Sequence, residues 1–187
     1  MNRIRIVPGF FLAVILFVFP ACENDLAEVQ KVIEQGATGR EVAYDVELLY
    51  SDSAIVRVRV KAPLMYRYLD NNNPRAEFPE GVRVDFYSNS GQTEGYLTSK
   101  YAIRFDDLQQ VNVRDSVVWQ NQRDERLESE ELTWDERSRQ VSTKKFVKIT
   151  RPDEIIFGYG FTADQDFTSS KIEAVKGRIK VDKVQEE

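Results

Sequence analysis

The sequence contains no histidine. That removes the side chain that titrates nearest neutrality, and with it the Ser-His-Asp triad, the Cys-His dyad and the commonest transition-metal ligand. There is one cysteine, so no disulfide can form within the chain. Basic residues are the minority, 26 against 31 acids, for a formal net charge of −5. A general binder of phosphate backbones needs a basic face, and this balance argues against one. The composition leans away from catalysis; no catalytic residue, metal or cofactor is expected. What is present is an ordinary apolar content, 42%, with 11% aromatic residues over 187 positions. That suits one domain plus a small appendage and is enough to bury a core without covalent staples.

The appendage is at the amino end. Arg3 and Arg5 precede an unbroken apolar run from Phe10 to Phe19, shorter than the roughly 20 residues of a membrane-spanning helix. The run ends in Phe19-Pro20-Ala21-Cys22. A small residue before a lone cysteine at the end of such a run resembles a bacterial lipobox, with Phe19 and Pro20 departing from the usual residues. Residues 1–21 therefore read as a lipoprotein-type signal peptide and Cys22 as an acylated anchor. The competing reading is an uncleaved anchor with an incidental cysteine. Either one tethers the rest outside the cytoplasm. Residues 22–41 read as a linker, where Leu26, Val29, Val32 and Ile33 predict a short helix over 25–35, ended by Gly36 and Gly39.

Residues 42–182 read as strands. Val56, Val58 and Val60 alternate with Arg57, Arg59 and Lys61, which predicts a half-buried strand, broken at Pro63. Val82, Val84 and Phe86 alternate likewise. Met65 to Tyr68 reads as an exposed aromatic group, and Leu97 to Phe105 as one strand with its odd-numbered residues on one face. From Glu94 to Asp164 the pattern repeats at an offset of thirty: Leu97 falls on Leu127, Val111 on Val141, Val117 on Val147 and Trp119 on Ile149. A third copy puts Phe157 on Leu127. Such a period is the mark of stacked supersecondary units, here two strands and a turn. About nine to eleven antiparallel strands and almost no helix are expected. A closed barrel and an open roll of two facing sheets both fit; the repeat favours the open roll, because a ladder has ends.

The order of several short motifs resembles a family. These are Gly95-Tyr-Leu-Thr-Ser99, the strand 111–118, Leu127-Glu-Ser-Glu-Glu-Leu-Thr-Trp-Asp135, the strand 141–149, and Ile156-Phe-Gly-Tyr-Gly-Phe-Thr-Ala-Asp164. Together they resemble the LptC family of lipopolysaccharide export, and its soluble relatives of the LptA/OstA-like fold. The resemblance implies an all-β, antiparallel, open, U-shaped jellyroll on the periplasmic side of the inner membrane. It implies a carrier that accepts lipopolysaccharide from an inner-membrane ABC extractor. The carrier passes the lipid to an LptA-like bridge protein joined by edge-strand addition. It is no enzyme. The groove residues would be Val58, Val84, Phe86, Leu97, Ile103, Val113, Trp119, Leu132, Trp134, Phe146 and Ile149, with Arg57, Arg59, Arg104 and Arg114 as cations for phosphorylated head groups.

Two other classes compete. A lipoprotein β-sandwich binding glycan or protein would display aromatics on a convex face, Met65 to Tyr68 being the place to look. A glycan-acting enzyme would need two converging carboxylates, and no such pair stands out. Asp106, Asp135 and Asp164 read as equivalent turn residues. The cluster Asp124, Glu125, Glu128, Glu130 and Glu131 matches no calcium-loop spacing and reads as a solvated hairpin edge.

Overall fold

A computed structural model describes residues 39–69 and 72–180. The signal segment, Cys22 and the helix expected over 25–35 lie outside the described residues. The described chain is all-β, with eleven strands: β1 (Arg40–Asp52), β2 (Ile55–Tyr68), β3 (Arg75–Phe78), β4 (Val82–Tyr87), β5 (Thr93–Ser99), β6 (Tyr101–Phe105), β7 (Gln110–Asn121), β8 (Arg126–Asp135), β9 (Gln140–Thr150), β10 (Glu154–Asp164) and β11 (Ser170–Lys180). Every pairing is antiparallel. From β7 onward the chain is a plain meander, while β7 pairs with β5 through its second half and with β6 through its first.

A crease crosses the strands. Left-handed φ values interrupt β1 at Asp45, β7 at Asp115 and Ser116, and β10 at Gly160; Gly81 shows the same between β3 and β4. Lys100 bends the chain between β5 and β6, and its N–H bonds Asp115 O at 2.9 Å. The register shifts between Arg114 and Val117, between Ser129 and Thr133, and between Tyr159 and Phe161, so the interruptions line up from strand to strand. Aligned bulges bend a sheet locally and increase its twist. Here they fold one sheet into two halves, an antiparallel jellyroll. Gly81 is required at its place: at φ +89 a Cβ would stand 2.4 Å from Ser99 O.

The crease corrects three local expectations. β2 runs through Pro63 to Tyr68. Proline lacks an N–H, yet it costs no ladder bond here, because its would-be partner Asp45 is left-handed and unpaired. The stretch 97–105 is two strands, and the bend at Lys100 shifts the alternation, so Ala102 is buried while Ile103 pairs with Asn112 and Glu77 on the outer face. The third copy of the repeat slips by one: Ile156 joins the Leu127–Ile149 row, and Phe157 pairs with Lys148 outside.

The period of thirty has a plain cause, two strands of the meander plus their turns. Val111 and Val141 flank Trp134 in one row, and Trp119 and Ile149 flank Leu127 in another. The turns repeat too. Gln109, Arg139 and Phe167 are left-handed at equivalent places. Glu136 N–H bonds Gln109 O at 2.9 Å and Gln165 N–H bonds Arg139 O at 3.0 Å, so successive turns stack.

Candidate functional site

Cross-strand pairing places alternate side chains on one face. On the inner face of the first half, one apolar row runs Leu48, Val60, Val84, Leu97, Trp119, Leu127, Ile149 and Ile156, one residue from each of eight strands. The second half contributes Phe78, Ala102, Val113 and Leu132, and beside them Val111, Trp134, Val141 and Ala163. Residues of both halves form one buried cluster, in which Leu127, Leu132, Val117, Val147 and Phe161 are within about 2% of full burial. Each such side chain contributes about 1.5–3 kcal/mol by leaving water.

Beyond this shared core, two side-chain contacts link the halves. Arg104, inward-facing between Ala76 and Val111, donates to the Tyr50 hydroxyl at 3.0 Å. Phe167, in the turn after β10, stacks on Trp119 of the first half with ring centroids 4.2 Å apart. That turn is held by Asp164, whose carboxylate accepts the Thr168 hydroxyl and the Thr168 and Ser169 N–H groups. The Thr168 hydroxyl bond, above all, holds the Asp164 carboxyl below the usual range. Asp135 does the same work one turn earlier. The Gln110 side-chain amide, then Ser138, bring it down to about 2. Asp106 accepts the Gln109 N–H at 3.2 Å through its backbone oxygen and sits in a turn, while Asp135 and Asp164 are the last residues of β8 and β10 and hold the turns that follow. The interior also holds a donor without an acceptor, Trp134 Nε1.

Of the residues expected in a groove, Val58, Val84, Phe86, Leu97, Val113, Trp119, Leu132, Trp134 and Ile149 share the inner face. Ile103 and Phe146 do not. Ile103 is turned outward by the bend at Lys100. Phe146 precedes the fully buried Val147, pairs with Tyr159 and is 41% exposed. The sequence reading left Leu127, Val117, Val141 and Val147 out of its groove set, although its own repeat aligned them. It also missed Phe161, beside the Gly158–Gly160 pair, and Phe167, which lies in a polar stretch and carries no signal at all.

The four arginines expected at head groups are all engaged. Arg59 meets Asp85 at 3.3 Å and Glu47 at 4.0 Å, both on the outer face. Arg57 bonds Asn89, and Arg114 lies 4.0 Å over the Tyr101 ring. Arg104 alone points inward, bridged to Asp106 and Glu136 at 3.2 and 3.7 Å. The Met65–Tyr68 group is not free either. Met65 packs on the core, Arg40 covers Tyr66 at 4.1 Å and Arg75 covers Tyr68 at 3.7 Å. In the acidic hairpin, Glu125 pairs with Arg123 and Arg151, and Glu128 with Arg126 and Lys148. Among the described residues no cluster of His, Cys, Asp or Glu could hold a metal ion, and no helix is long and apolar enough to cross a membrane.

A sheet creased in this way, with its continuous apolar surface turned inward, defines the class of antiparallel jellyroll proteins. The particular family follows from comparison: the LptC family, described as lipopolysaccharide-assembly, LptC-related, matches residues 46–179, and the chain belongs to it. No curated protein matches the chain. Membership makes the chain a component of lipopolysaccharide transport, associated with the periplasmic side of the inner membrane, with lipopolysaccharide and the other transport components as its partners.

Proposed function

We propose that the two halves of the jellyroll part to hold the acyl chains of lipopolysaccharide between them, and that the chain relays this lipid from the inner-membrane ABC extractor to a soluble bridge jellyroll. The observation that carries the reading is the inner row from Leu48 to Ile156, unbroken across eight strands. A long acyl chain needs a uniform apolar surface more than a single site. The unpaired Trp134 Nε1 supplies one donor there, suited to an ester or amide carbonyl at the head of such a chain; a buried donor left unmet costs about 1–3 kcal/mol. Phe167 fills the interior against Trp119. In this reading it swings out on its turn when lipid enters.

The sheet ends at β11, and β1 lies outside its main path on β2. A strand at an edge offers unpaired N–H and C=O groups to a neighbour. Hand-off by strand addition at β11 follows, with the amino end, acylated at Cys22, as the tether. The test is a transfer assay. The full chain, loaded with lipopolysaccharide, is mixed with a soluble bridge jellyroll, and lipid is counted on each. Truncation after Gly177 should leave loading intact and abolish transfer. Failure of the full chain to load, or undiminished transfer after truncation, contradicts the proposal.

A further inference from the structure

The outer face is neutralised over most of its width. From β2 to β9 a chain of contacts runs Arg59–Asp85 (3.3 Å), Arg83–Asp85 (2.9 Å), Arg83 over Tyr96 (4.5 Å), Tyr96–Gln120 (2.9 Å), Arg126–Glu128 (3.1 Å) and Lys148–Glu128 (3.4 Å). Beyond Lys148 it stops. β9 and β11 together carry seven Lys or Arg against one acid, Glu173, in a chain whose net charge is −5; two of the seven, Arg178 and Lys180, pair with Ile156 and Glu154 on the inner side. Lys144 and Lys145 in the bulge of β9, and Lys171 and Lys176 on β11, are exposed and make no ion pair.

Aromatic side chains stand among these lysines. Tyr159 and Phe146 are a cross-strand pair, 50% and 41% exposed, in edge-to-face contact at 5.4 Å. Phe157, two residues along β10, lies 6.2 Å from Phe146. Its ring rests over Gly177, where a Cβ would come within 2.4 Å of Cζ, so glycine makes the seat for a ring held on the surface. Ile155 and Ile179 extend the same face.

We propose that this face, the outer side of β9–β11, rests on an anionic lipid bilayer. Rings that sit at the water–hydrocarbon boundary, with lysines whose stems lie along it and whose ammonium groups reach the head groups, are the chemistry of interfacial membrane contact. The free cations are all lysines. A lysine is a point charge on a flexible stem, suited to mobile head groups; a fixed carboxylate on a protein partner favours the planar fork of arginine. The one arginine on these strands, Arg178, pairs with Ile156 of the inner row and is bridged to Glu154 at 3.2 Å, so it takes no part in this face. This contact is independent of the lipid-relay reading: it uses the opposite face of the strands, and bulk phospholipid.

The experiment uses the full chain reconstituted into vesicles, with a benzophenone amino acid at Tyr159 or, as a control on the same outer side, at Leu49. Vesicles of phosphatidylcholine with about 30% phosphatidylglycerol should give about tenfold more lipid adduct from position 159 than from position 49. In pure phosphatidylcholine that excess should fall about fivefold or more. Lys144→Glu, Lys145→Glu, Lys171→Glu and Lys176→Glu combined should lower it as much in the anionic vesicles; these exposed side chains fill no part of the core, and an unchanged circular dichroism spectrum checks the fold. Equal adduct from both positions overturns the proposal, because the tether alone then explains it. So does an excess at position 159 that is indifferent to either the lipid charge or the lysine reversal. Neither outcome bears on whether the interior loads lipopolysaccharide.

Discussion

The two faces of one strand differ more than any two regions of the chain. In β9, Val141, Val147 and Ile149 are buried while Lys144, Phe146 and Lys148, interleaved with them, are exposed. The inner face is uniform from Leu48 to Ile156. The outer face changes character along the sheet, from a zipped run of ion pairs to unpaired lysines around aromatic rings. A face that must accept any stretch of a long acyl chain gains from sameness. One that must meet water at one end and a surface at the other gains from variation.

The comparison breaks first at phenylalanine. Phe161→Ala empties a site that is 1% exposed and should cost about 3–5 kcal/mol in a denaturant titration. The same change at Phe146 should cost about 1 kcal/mol, the worth of an exposed aromatic pair. Similar losses at both positions would erase the distinction between the faces.

Next comes the crease that creates the two faces. Gly81→Ala adds both left-handed strain and a clash with Ser99 O, for about 2–4 kcal/mol. Gly91→Ala, at φ +77 with open space around it, should cost only the strain, about 1–2 kcal/mol. Equal midpoint shifts would mean that close packing at the crease is unimportant.

On the outer face, Asp85 is a 5% exposed carboxylate held between Arg59 and Arg83. Asp85→Ala leaves those guanidinium groups without their acceptor and should cost about 1–3 kcal/mol. Asp85→Asn, which keeps an acceptor oxygen, should cost less. The smallest effect is one of pH. Asp135 is lowered from 3.8 to about 2. Its contribution is therefore fully present above pH 3.8 and lost as pH falls through about 2. Asp135→Asn should flatten the acid limb of the stability profile over that window and leave neutral pH behaviour nearly parallel to the parent.

Much of this was legible in the sequence. Strict alternation set the inner faces of β2, β4 and β7, and the offset of thirty found real rows, because a meander with equal turns returns to the same row every second strand. What failed, failed at the crease. A bulge or a left-handed residue changes the parity of everything after it, so Ile103 and Phe157 were given the wrong side, and nothing in Tyr101-Ala-Ile103 announces the bend at Lys100. Pro63 misled for the complementary reason: its lost N–H mattered only if a partner faced it, and Asp45 does not. Phe167 was illegible because its burial depends on a turn folding over Trp119, a contact between residues 48 apart in sequence.

The most direct test sets the two faces against each other. A photo-crosslinking residue is placed at Trp119 or Leu132, inside, and at Arg57 or Arg139, outside, in cells whose exporter has ATP. Adducts with lipopolysaccharide from the inner positions, and few from the outer ones, are the predicted result. Adducts from the outer positions alone would contradict the account, and the interior would then be a core and nothing more.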